Sequence, residues 1–308
     1  MMIANRARRA EWPTLAAIAA CYTVWGTATW LAPQLSGWEM AVAGIFAVLA
    51  TTFHSSLQHE CLHGHPTRRA GLNEALVFLP VGLFVPYRRF KVLHLRHHRD
   101  ETLTDPYDDP ETWYLAEAGW DGLSALSRVI FVANNTLAGR LLIGPTLALI
   151  AFFVSEAKLL MADAPGIRRA WLLHLAGLVP VAAWLVGVCG WSLPVYAIAV
   201  AYPAMGVLMI RTFAEHQASQ HAGARTVIIE KSGLLSLLFL NNNLHFVHHR
   251  HPAAPWYDLP GLYRLDRAAY REENGGYVYP SYADLARRYL FRAKEPVAHP
   301  FLRRRTGS

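Results

Sequence analysis

Two long stretches of this chain are almost free of charge. Between Trp12 and Gln58 the only Asp, Glu, Lys or Arg is Glu39, and from Ala170 to Ile210 there is none at all. Each stretch has one weak break, at Pro33-Gln34-Leu35-Ser36-Gly37 and at Gly190-Trp191-Ser192-Leu193-Pro194. The breaks leave four apolar pieces of about 20 residues, the length that carries a helix across a bilayer. Backbone in lipid must satisfy its own hydrogen bonds, so such pieces are helical. The chain is therefore expected to be an all-α integral membrane protein, with four transmembrane helices in two hairpins, at about 13–33, 37–57, 171–189 and 192–211.

The composition agrees with this reading. Of 308 residues, 53% are hydrophobic and 17% charged, against roughly 25% charged in an ordinary soluble domain. The formal charge of +7 comes with a positive mean hydropathy of +0.18. The basic excess thus reads as membrane topology signal, and no nucleic-acid partner is expected. Three cysteines, Cys21, Cys61 and Cys189, provide no disulfide framework. Arg6, Arg8 and Arg9 precede the first span, Arg68, Arg69, Arg88, Arg89 and Lys91 follow the second, Arg168 and Arg169 precede the third, and Arg211 follows the fourth. The hairpin tips carry no charge, so both termini are expected in the cytoplasm, with the chain in the inner membrane. The first span is too long for a signal peptide core and lacks a convincing small-residue cleavage site, so no cleavable signal peptide is expected.

Two shorter apolar runs, Ala75 to Tyr87 and Leu141 to Phe153, have about 13 residues each and are expected to be interfacial or re-entrant helices. The remainder, 58–130 and 212–308, is expected to form a cytoplasmic cap, all of it one domain over 1–308, with 151–170 as the one plausible internal linker.

The chain has fifteen histidines, and eight fall into three clusters. His59 and His63 stand at i, i+4. His94, His97 and His98, and again His245, His248 and His249, stand at i, i+3, i+4, which places each set on one helical face. Neutral imidazole is the commonest metal ligand and is available near pH 7. Eight exceed the roughly four ligands of one tetrahedral zinc, so the count favours two metals; ligand type alone leaves iron, copper and zinc open. All three clusters sit on the expected cytoplasmic side, a placement derived without reference to them. His216, just after the fourth span in Arg211-Thr-Phe-Ala-Glu215-His216, emerges at the same depth and is a candidate ninth ligand.

A solitary histidine is more often a packing or surface residue than a ligand, and His54, His174, His221 and His299 are read so. His65 and His251 adjoin clusters but leave the helical face. Ligating imidazoles usually donate their other N–H to a carboxylate or carbonyl. Glu60, Asp100, Glu101, Asp105, Asp108, Asp109 and Glu215 lie nearby in sequence, with Asp100 and Asp105 the favoured orienting partners; Glu60, Glu215 and His65 are further candidates for that supporting role.

With its clusters His59-Glu-Cys-Leu-His63-Gly-His65, His94-Leu-Arg-His97-His98 and, after Asn241-Asn-Asn-Leu, His245-Phe-Val-His248-His249, the chain resembles the membrane fatty acid desaturase superfamily from about residue 40 to 265. The resemblance implies two irons bound by these histidine boxes at the membrane–cytosol boundary, with O2 activated there to desaturate or hydroxylate a lipid. His216 occupies the place of an additional box histidine in related members. The three-residue spacing inside the first box is similar to bacterial acyl-lipid desaturases, carotenoid ketolases and alkane hydroxylases, and His245-Phe-Val-His248-His249-Arg-His251-Pro252 with Pro255-Trp256-Tyr257 resembles the bacterial acyl-lipid and carotenoid branches. No His-Pro-Gly-Gly haem element is present, and three scattered cysteines cannot hold an iron–sulfur cluster. A separate electron donor, ferredoxin-like or a cytochrome, is therefore expected, docking on the basic face or leaving that face to lipid headgroups.

Two rivals differ in class. His59-Glu60-Cys61-Leu62-His63 fits the H-E-x-x-H of a membrane zinc protease with Glu60 as base, but six clustered histidines then have no role. A metal transporter would place ionisable groups near the bilayer midplane, and the second uncharged stretch offers only His174 near one end.

Overall fold

The computed structural model describes residues 10–231 and 233–302, apart from the side chain of Asp100. The chain is an all-α integral membrane protein whose described residues contain five helices long and apolar enough to cross a bilayer: Trp12–Gln34, Gly37–Leu62, Gly144–Met161, Ile167–Val188 and Leu193–Glu215. Four match the expected pieces. The second runs past its expected end, so that His59 stands on the span helix itself, and the fourth continues to Glu215.

The fifth helix departs from expectation. The run Leu141 to Phe153 is expected to be too short to cross, yet one helix continues from Gly144 to Met161, past Glu156 and Lys158. Glu156 is tolerated because Arg89, sixty-seven residues away, donates Nε and Nη2 to its carboxylate at 2.7–2.9 Å, and Trp171 Nε1 donates a further bond at 3.0 Å. Both charged side chains are buried. The stretch 151–170 is accordingly no linker: it is the end of one helix, a tight turn and the start of the next.

Small residues let the two expected hairpins pack closely. Ala28, Ala47, Ala50 and Ala201 interlock with Trp25, Val181, Leu185, Tyr196 and Val200 in one buried cluster, the small-residue contact that apolar helices need where lipid supplies no hydrophobic drive. Tyr196, fully buried, accepts a bond from Trp25 Nε1 at 2.8 Å and donates to the carbonyl of Val81 at 2.9 Å. Thr52 Oγ1 donates to the carbonyl of Ala204 at 3.1 Å.

The run Ala75 to Tyr87 forms neither an interfacial nor a re-entrant helix over most of its length. A short helix, Ala70–Leu76, gives way to irregular backbone in which Val77 and Val81 are buried. Irregular backbone at such a position needs outside partners for its carbonyls. Tyr196 supplies one at Val81, and His174 Nε2 supplies another at Leu83, 2.8 Å away.

Beyond Glu215 the polar C-terminal region folds over the ends of the spans. It contains a two-stranded parallel sheet, Ile228–Lys231 beside Val278–Ser281, with Ile228 opposite Val278. Val227, Ile229, Tyr277, Tyr279, Tyr282 and Leu285 form its core against Phe213 at the end of the last span helix.

Candidate metal centre

The boxes converge by simple local structure. His59 lies in the last turn of the second span helix and His63 caps it. Tyr87–His97 is a helix with His98 at its C-cap, and His245–Arg250 is another. His216 follows the last span helix in extended backbone, φ −130° and ψ 151°.

The nine histidines fall into two groups. One is His59, His63, His94, His98 and His248; the other is His97, His216, His245 and His249. Within each group the potential ligand atoms all lie within 4.8 Å of one another. The groups abut, with the rings of His98 and His249 stacked 4.2 Å apart.

Outer hydrogen bonds set the direction of several rings. His97 Nδ1 donates to Asp109 at 2.8 Å, His94 Nδ1 to Glu111 at 3.0 Å, and His245 Nδ1 to Asn242 Oδ1 at 3.0 Å. With the proton on Nδ1, the Nε2 lone pair points inward. Asp109 is itself fixed by the amides of Thr104 and Glu111, both at 2.9 Å. Asn242 donates to Glu215, which Arg211 holds at 2.8 Å.

This donor set suits cations. Nε2 atoms face each other at 2.9 Å (His94 and His98; His97 and His216) and at 3.1 Å (His98 and His248; His216 and His245). Two lone pairs so close repel unless a proton or a metal lies between them. Nitrogens bound at right angles to one metal, each at the ~2.0–2.1 Å of imidazole ligation, stand about 3 Å apart. His59 Nε2 and His63 Nε2 are also buried with no hydrogen-bond partner.

Electrostatics points the same way. Burial, followed by the neighbouring imidazoles, pushes His63 down to about 2 and holds His98, His216, His245 and His248 well below the usual histidine range. These rings are therefore neutral, the form that ligates. His97 differs: burial opposes its charge, but Glu111 and Asp109 outweigh burial and raise it to about 9. The same two carboxylates favour a cation at its Nε2. Glu111 feels the reverse, with burial opposed by His94 and His97, which hold it at about 2.

Several orienting partners differ from those the sequence suggested. Asp105 accepts from the amide of Tyr107 in a local turn and has no bond to a box histidine. The Asp100 side chain lies outside the described residues. The carboxylate of Glu60 accepts the Trp256 amide at 3.1 Å and groups with Glu11 and His65, leaving the H-E-x-x-H pattern without a base at His59 and His63. His65 bonds Glu11 at 2.8 Å and joins neither of the two groups into which the nine histidines fall. Glu215 reaches His245 chiefly through Asn242, its own oxygen lying 3.6 Å from Nδ1. Glu111 and Asn242 were missed because they sit in loops, where no periodicity points inward. His54, His174 and His299 have protein partners in Tyr22, Leu83 and Thr104, and His221 is exposed.

A cavity of about 1040 Å³ reaches the centre. His216, Glu111 and Glu215 are among the residues that line it. Leu147, Ala148 and Ala151 from the Gly144–Met161 helix, with Met205, Leu208 and Met209 from the last span helix, provide apolar walls.

The sequence model of the fatty acid desaturase family matches residues 36–281, the span that includes every box and its supporting loops. The chain belongs to the fatty acid desaturase family, and is an oxidoreductase of the desaturase and hydroxylase type in a multi-pass membrane setting. A search of curated proteins found no match.

Proposed function

We propose that the chain is an O2-dependent di-iron oxidoreductase that desaturates or hydroxylates the acyl chain of a membrane lipid. The observation carrying this reading is the pair of abutting histidine groups, one of which contributes His216 to the lining of a cavity with apolar walls. His59, His63, His94, His98 and His248 would hold one iron, and His97, His216, His245 and His249 the other. When bound, the irons supply the two-electron activation of O2 that breaks an unactivated C–H bond. Desaturation converts CH2–CH2, O2, two electrons and two protons into CH=CH and two waters; hydroxylation inserts one oxygen and releases one water.

The protein's own task is placement. Leu147, Ala148, Met205 and Leu208 direct an apolar chain toward His216 and exclude water from the reacting carbons. Asp109, Glu111 and Asn242 keep the rings aimed inward. The electrons come from a separate carrier, ferredoxin-like or a cytochrome. Of the arginines considered for its docking, Arg88 and Arg89 are committed to Glu74 and Glu156, while Arg68 and Arg69 remain exposed on the face that would be cytoplasmic.

The test is lipid analysis of a bacterial host with and without the gene, and with His97→Ala. New unsaturated or hydroxylated acyl chains with the intact gene and none with His97→Ala support the proposal. An unchanged acyl profile with altered carotenoids would replace it by the carotenoid ketolase or hydroxylase reading.

A further inference from the structure

His216 is the one member of the nine that stands alone in sequence, and the backbone must leave its helix abruptly to present it. An α-helix ends with about four carbonyls lacking an intrahelical partner. At the end of Leu193–Glu215 these are supplied from the C-terminal region. Lys294 Nζ donates to the carbonyl of Phe213 at 3.0 Å, to that of His216 at 2.6 Å and to Tyr277 Oη at 2.8 Å. Three acceptors use all three ammonium protons. Tyr277 Oη in turn donates to the carbonyl of Ala214 at 2.6 Å. The amide of Val227 takes the Glu215 carbonyl at 3.0 Å, and Tyr114 Oη with Glu295 receives the amide of Ala218.

We propose that Lys294 is a positioning residue for His216, and through it for the four-histidine group alone. The Lys294 side chain is only 6% exposed, its Nζ lies 3.7 Å from the counter-ion Glu295, and it stands on a strap from Leu290 to His299 anchored at Asn135, Ala138 and Leu115. It closes the end of the helix where the chain turns into the extended conformation at His216. That turn carries Nε2 to 2.9 Å from His97 and 3.1 Å from His245. A cation at a helix C-terminus also complements the helix dipole. No member of the five-histidine group accepts a bond from Lys294, so its effect is one-sided.

The inference rests on the two-iron reading, and the experiment separates the two. Full-length protein in detergent is loaded with ⁵⁷Fe(II), and both iron per chain and the Mössbauer spectrum are recorded for wild type, Lys294→Met, Lys294→Arg and His216→Ala. Wild type lacking two irons would sink the functional reading itself. Given two, Lys294→Met should weaken one iron by about 10- to 100-fold, the usual cost of removing a partner that orients a ligand. The component it loses should be the one lost in His216→Ala, and Lys294→Arg should restore part of it. Should Lys294→Met fail to fold, Tyr277→Phe, which removes only the hydroxyl, serves in its place and should speed chelator removal of the same iron. Equal loss of both irons, or no loss in the soluble variants, overturns the proposal.

Discussion

The orienting acceptors carry as much of the site as the ligands do. Asp109 bonds His97 and is held by two backbone amides, so its geometry is fixed before any metal arrives. Asp109→Ala should therefore lower metal affinity by about 10- to 100-fold, measurable by chelator competition with the fold intact by circular dichroism. Asp105→Ala, which removes a turn acceptor with no bond to a box ring, should leave affinity unchanged. Metal-free protein should also respond to pH in a specific way. His63, His98, His216, His245 and His248 resist protonation when folded. The unfolded chain takes up those protons as pH falls through about 6.5, so stability drops toward acid. His97, raised to about 9, works oppositely: its contribution is full below about 6.5 and fades as pH rises through 9. Burial at His65 is outweighed by Glu11 and Glu60, which raise it, so it acts in the same sense as His97, and the five lowered rings outnumber these two. The melting temperature of the chelated protein should fall from pH 7 to pH 5; a flat or rising curve would contradict the burial-driven shifts.

At the scale of elements, charge content located the four expected helices well, because lipid forbids what it excludes. It failed at Gly144–Met161 because the pairing that neutralises Glu156 comes from Arg89 in a distant segment. A single-residue scale reads Glu156 as the end of a membrane run, while the fold reads it as half of a buried pair. Breaking such a pair by removing one partner costs about 3–5 kcal/mol. Arg89→Met should consequently reduce stability sharply in a detergent unfolding titration, and Arg89→Met with Glu156→Met should recover much of the loss. If both variants unfold alike, the pair is not what retains Glu156 in its helix. The His-box helices were legible for the opposite reason: i, i+3, i+4 spacing is local and needs no knowledge of partners. Glu111, Asn242 and Lys294 came from loops and a C-terminal strap, where sequence spacing carries no facing information.

At the scale of the molecule, the span helices, the Tyr87–His97 helix and the C-terminal region each bring one part of the centre to the same place. The cavity then joins it to helices whose other faces are apolar. Narrowing that route should spare the metals and reduce turnover. Leu208→Trp is expected to keep the iron content of wild type while lowering conversion of long acyl chains; unchanged conversion would place the substrate elsewhere. Beneath that lies the claim that nine imidazoles form two sites. The direct measurement is iron bound per chain in the purified protein, with His63→Ala and His245→Ala beside it. The account predicts two irons in the intact chain and, for each variant, weakening of a different one. One zinc per chain, or a single iron lost in both variants alike, would contradict it.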